Sequence, residues 1–205
     1  MLQKAFFKVN VVDRIYETPV FEKTTPGAYE FTVPEEYNYV VIEYAGAKGG
    51  DAPVGSNVSS GGKGSIIKTN KIKIQNRNIL GIIGAVGEQG GHLFNHSQPS
   101  QGGVGHNNGG NGTAVDGKLG FYYVSGAGGG STSVVINNTT LEASAGSGAV
   151  PTGSKNSGKG GGVYGGAIRT NEGAGNDATD PNRIGLNSGN GYVKIWAGYD
   201  PYFKG

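Results

Sequence analysis

The chain has no cysteine, which excludes a disulfide framework and any thiolate-bound metal. Charge is scarce and balanced. In 205 residues, 17 basic side chains face 15 acidic ones for a formal net charge of +2, so there is no electrostatic footprint for nucleic acid or an anionic membrane. Long apolar runs are missing too: the longest uncharged one, residues 79–86, falls far short of the ~20 residues that span a bilayer. The opening MLQKAFFKVNVVDR breaks its apolar character with Lys4, Lys8 and Asn10, unlike a secretory leader. No stretch shows helical periodicity over a useful length. These absences lead us to expect a soluble protein made in a cytoplasm, without nucleic-acid partner or membrane insertion. An extracellular role stays open, because release by lysis of the producing cell needs no leader.

Glycine is abundant instead: 41 glycines with 8 prolines make up about a quarter of the chain. Ordering glycine costs more backbone entropy than ordering any other residue, yet each glycine block here returns to Val, Ile, Tyr or Phe. Such patterning predicts an all-β scaffold that carries the blocks. The chain organises around residues 120–148, where a strand at 121–124 runs into glycine at 126–130 and out again into strands at 132–136 and 139–145, with Asn137-Asn138 at the turn.

Taken in order, residues 5–16 read as an opening strand, and Pro19 and Pro26 punctuate a loop. Strands follow at 29–33 and 38–45, the second interrupted in its apolar run only by Glu43. A first glycine block, 46–64, leads to a strand at 65–74. There Lys63, Lys68, Lys71, Lys73 and Arg77 surround Ile66, Ile72 and Ile74, as on the wet face of a strand. The strand at 79–86 contains Gly81 and Gly84, which suggests bulges or close backbone approach. Blocks at 87–117 and 145–191 precede the closing strand 192–196 and an aromatic tail, 199–203. A sheet needs partners, so each block is expected to join adjacent strands and to leave and re-enter the scaffold on one side.

A block without side chains can be ordered only through its backbone, every N–H and C=O of which needs a partner when buried. An extended threefold helix related to polyproline II leaves all those groups free to pair with neighbouring helices. Flexible loops are the other physical solution.

The succession YEFTVPEEYNYVVIEYAGAKGG, GKGSIIKTNKIKI, ILGIIGAVGEQGG, SGAGGGSTSVVI, LEASAGSG and GNGYVKIW resembles the glycine-rich domain of bacteriophage and prophage tail-fibre or receptor-binding proteins. A similar domain occurs in the anaplastic lymphoma kinase receptor family. The likeness covers residues 27–197 and lies in the order of elements. It implies a β-sandwich, jelly-roll or tumour-necrosis-factor-like, with inserted segments forming a polyglycine II bundle that includes Gly126, Gly128, Gly129, Gly130, Gly160, Gly161 and Gly162. It further implies a homotrimer in a virion that meets a bacterial surface glycan or protein. Residues 1–26, beyond the likeness, are read as an attachment region toward other virion proteins, and 27–205 as one compact unit.

Loops on a rigid scaffold are where binding residues sit. The receptor-contact candidates are therefore His92, Phe94, His96, Tyr164, Arg169, Asn171, Asp177 and Arg183. The histidines 92, 96 and 106 lack a carboxylate at ligand spacing, so no metal or other cofactor is expected. The run GAGGGST has neither the lysine nor the following helix of a phosphate loop. No nucleophile and base, or close carboxylate pair, suggests an enzyme. Asn-X-Ser/Thr matches such as those at Asn57, Asn95, Asn111 and Asn138 are chance-level in so Asn- and Ser-rich a chain. The alternatives to host recognition are a structural virion component docking through 1–26 or 199–203, and a cytokine-like secreted binding domain.

Overall fold

The computed structural model describes residues 14–15, 17–54, 56–94, 98–116, 121–151 and 175–204. Among these residues every regular element is a β-strand and every strand pairing is antiparallel. The largest sheet is built on β16 (Tyr192–Tyr199) and β4 (Tyr39–Ala45), paired along the whole of β4. β1 (Arg14–Ile15) and β2 (Phe21–Lys23) share the outer edge of β16; β7 (Gly64–Lys68) and β8 (Ile72–Lys73) line the other side of β4, and β15 (Arg183–Asn187) flanks β7. A second sheet has the order β14 (Thr139–Ala143), β13 (Thr132–Ile136), β9 (Asn78–Ile83), β3 (Gly27–Thr32).

Alternation decides which faces meet. Val40, Ile42 and Tyr44 of β4 and Val193, Ile195 and Ala197 of β16 join Tyr29, Ile79, Ile83, Val134 and Ile136 from the second sheet in one buried cluster. Fully burying each such Val or Ile contributes roughly 1.5–3 kcal/mol, so the period-2 pattern sets the register as well as the fold. The turn between β13 and β14 holds Asn137 at φ 49° and Asn138 at φ 61°, the left-handed pair that a two-residue hairpin matched to strand twist requires.

Two smaller sheets lie beyond the glycine segments. One pairs β10 (Gly91–Phe94), β12 (Phe121–Val124) and β11 (Ala114–Asp116); the other is the hairpin of β5 (Ala52–Val54) and β6 (Asn57–Ser59).

Several expectations need correction. The expected single strand at 65–74 divides at Thr69, whose N–H bonds Ile42 O at 2.9 Å and whose Oγ1 accepts Ile42 N–H at 3.0 Å, so the chain steps aside and rejoins β4 as β8. The loop expected between Pro19 and Pro26 contains β2, anchored by Phe21 stacking on Phe31 and Tyr29 at 4.9 and 5.7 Å. Of the opening strand at 5–16, only Arg14–Ile15 lies among the described strands. Only the first of the three blocks joins antiparallel neighbours, β4 to β7; the second, 87–117, runs from β9 of the second sheet to β12 of a small one. The third, 145–191, contains β15 and runs from β14 of the second sheet to β16 of the first.

Candidate functional site

The glycine blocks run out from the two large sheets and back. Segments 46–51, 84–90, 107–113 and 144–150 lead away from the large sheets, and 60–63, 98–106, 125–131 and 175–178 return. Segment 125–131 is wholly buried and central. Its amide directions rotate with a period of three. Ser125, Gly128 and Ser131 donate to Thr113, Gly110 and Asn107; Gly126 and Gly129 donate to Ala149 and Gly146; Ala127 and Gly130 donate to Glu88 and Ala85. Its carbonyls accept from two further segments, through Ala47 and Gly50 on one and Gly103 and His106 on the other. The first segment repeats the pattern: Gly46 and Gly49 donate to Ser65 and Gly62, Ala47 and Gly50 to the central segment, and Lys48 to Gly189.

Glycine here serves close approach. Among the described glycines only Gly27 and Gly91 have positive φ, so left-handed backbone does not explain the rest. A Cβ on Gly126 would stand 2.1 Å from Gly50 O, and one on Gly84 2.0 Å from Gly130 O. Gly81, expected to mark a bulge or close approach, meets the Ser133 carbonyl, 2.1 Å from its would-be Cβ, and the Tyr29 hydroxyl at 2.8 Å. That hydroxyl donates to Ser133 O at 3.1 Å, and burial pushes the Tyr29 pKa up.

At the perimeter, side-chain oxygens finish the hydrogen bonding. Asp51 accepts Gly61 N–H at 2.7 Å, Glu88 accepts Gln101 N–H at 2.6 Å, and Asn111 and Asn108 accept the N–H groups of Gly102 and Gly105 at 2.8 and 3.0 Å. Asp180 accepts from Ser144 N at 2.8 Å, from Ser144 Oγ at 2.7 Å and from Ser65 Oγ. The Asn, Asp and Ser that dilute the glycine blocks are thus the groups that close their outer surface.

The predicted contact residues are not gathered in one place. His92 and Phe94, read as loop, lie in β10, opposite Tyr123 and Phe121. Asp177 and Arg183 lie at the other end of the glycine segments, beside the large sheet: Asp177 accepts Lys63 N–H at 2.7 Å, and Arg183, on β15, donates to Ala178 O. A glycine segment of about seven extended residues, roughly 20 Å, separates the two groups. His96, Tyr164, Arg169, Asn171, Gly160, Gly161 and Gly162 lie outside the described residues. Gly126, Gly128, Gly129 and Gly130 form the heart of the central segment. Among the described residues no cluster of His, Asp and Glu could hold a metal ion. In the tail, Tyr199 and Tyr202 are exposed, and Phe203 packs edge-on against Tyr39 at 5.8 Å.

An open cavity of about 740 Å³ on the flank of the segments went unforeseen. It is lined by Lys48, Asp51, Val86, Glu88, Gln101 and Val104 among others. Val86 and Val104 are 41% and 65% exposed, and their segments are joined by Ala85 N–H to Val104 O at 2.7 Å. The sequence offered only two valines as a sign of it, Val86 at the end of the strand expected at 79–86 and Val104 inside the glycine block at 87–117. No protein-family model and no curated protein matches this chain.

Proposed function

We propose that this chain is a non-catalytic host-recognition protein of a bacteriophage tail fibre. In this reading a polyglycine II bundle, rooted in a jelly-roll or tumour-necrosis-factor-like sandwich, holds contact loops away from the body of a trimer. The observation that carries the reading is the three-residue rotation of amide direction along 125–131, the signature of a threefold extended helix paired on several sides. It agrees with the resemblance drawn from the order of strands and glycine blocks. Loops on a rigid support lose little entropy when they bind, and the elements at the outer ends of the segments are the β5–β6 hairpin and the sheet carrying His92 and Phe94. The partner in this reading is a bacterial surface glycan or protein, with residues 1–26 facing other virion proteins.

The test is binding of labelled protein to a panel of intact bacteria, beside a folded variant carrying His92→Ala, Phe94→Ala and Tyr164→Ala. Selective binding that the variant loses is the expected result. Failure of the folded, assembled protein to bind any cell type turns the assignment to a structural virion component.

A further inference from the structure

The outward face of the large sheet carries a pattern that the receptor reading does not use. Four strands place one residue each in a row across it: Glu22 on β2 opposite Lys194 on β16, Lys194 opposite Glu43 on β4, and Glu43 opposite Lys68 on β7. Lys194 Nζ lies 3.3 Å from Glu22, and Lys68 Nζ lies 3.9 Å from Glu43. Acceptors and donors thus alternate at the strand spacing of ~4.8 Å, and the row is neutral in sum.

Two rings flank it on the same face of β16. Tyr192 stands on one side, its hydroxyl donating to Glu43 at 3.0 Å. Trp196, the one tryptophan of the chain, stands on the other, opposite Val41. Four residues of strand set these rings about 13 Å apart. Lys68 Nζ lies 4.6 Å from the Trp196 ring centroid and Lys194 Nζ 5.5 Å from that of Tyr192. Flexible ammonium groups, partly open to solvent, therefore occupy the ring faces and can be exchanged for a ligand.

We infer that this face binds a neutral, unbranched oligosaccharide lying along β16. Each vicinal diol of a sugar needs an acceptor beside a donor, which the Glu–Lys row supplies. The apolar C–H face of a pyranose needs a flat electron-rich ring, which Trp196 and Tyr192 supply at the two ends. Internal neutrality of the row disfavours a polyanion, which would have to break the two ion pairs. This inference stands apart from the receptor reading and holds with or without it.

The sole tryptophan makes the test direct. Intrinsic fluorescence is recorded while neutral hexasaccharides of glucose (α-1,4 and β-1,4) and of N-acetylglucosamine are added, with heparin hexasaccharide as the anionic control. The expected result is a saturable shift with at least one neutral sugar. Its affinity should fall at least tenfold in Tyr192→Ala and Lys194→Ala, both retaining Trp196 and a wild-type circular dichroism spectrum. No shift with any neutral sugar, a response to heparin alone, or a shift that follows protein concentration without sugar, meaning a second copy on the face, overturns the inference.

Discussion

At Gly126 one methyl group decides whether neighbouring backbones can meet, since a Cβ there would stand 2.1 Å from Gly50 O. Backbone on every side leaves no flexible side chain to move aside, so Gly126→Ala should cost about 3 kcal/mol or more in urea denaturation. At the adjoining position the side chain has room, and Ala127→Gly should cost only about 1 kcal/mol. The sequence GAGGGS does not say which of its small residues is obligatory, because that depends on which side of the central segment faces which neighbour. Tyrosine burial sets the alkaline limit. Desolvation raises the pKa values of Tyr29 and Tyr44, the latter with help from Asp180; it also raises that of Tyr192, with help from the Glu43 hydrogen bond. In the unfolded chain these phenols ionise near pH 10. Their contribution is therefore complete below that pH and is lost as pH climbs toward the higher folded values. Stability from denaturant titrations should fall steeply above about pH 10, and less steeply in Tyr29→Phe, which has no phenol to ionise at that site.

Among the elements, the β13–β14 turn allows opposite outcomes at adjacent asparagines. Asn138 sits at φ 61°, where glycine has no Cβ penalty, so Asn138→Gly should stabilise by up to about 1 kcal/mol. Asn137 shares that geometry, but its side chain accepts Gln75 and Asn76 N–H at 2.9 and 3.1 Å and donates to Lys73 O at 2.7 Å. Asn137→Gly should therefore destabilise by about 1–2 kcal/mol in the same melts. On the segment edge, Asn108→Ala and Asn111→Ala should speed hydrogen exchange at Gly105 and Gly102, whose amides they cap, with little change in melting temperature. Strands such as 38–45 and 132–136 were legible because each is a local run of β-branched or aromatic residues. β5, β6, β10, β11 and β15 were not, since each is three to five residues long and sits inside a glycine-rich stretch, and β10 and β15 also depend on partners distant in sequence. For the same reason His92 and Phe94 read as loop. The cavity beside Val86 and Val104 was hidden because four stretches separated in sequence, 48–51, 85–89, 101–104 and Ser188, form its walls.

For the whole molecule, the glycine segments behave as part of the core, although most of their residues belong to no strand. Amide exchange followed by mass spectrometry should show residues 125–131 protected as strongly as β4 and β16, and exchange there as fast as in exposed loops would contradict the bonding described. The outward Glu–Lys row is neutral in sum, whereas the far end of the segments is made of short strands. The central segment also governs how the chain comes into being. Its partners begin at Ala47 and end at Ala149, so no local stretch can assemble it alone. A ribosome adding roughly 5–20 residues per second delivers the last partner some 5–20 s after the first. Throughout that interval the nascent chain must carry its earliest glycine segment as a bare, solvated thread, and the protein acquires its centre only once Ala149 has been added.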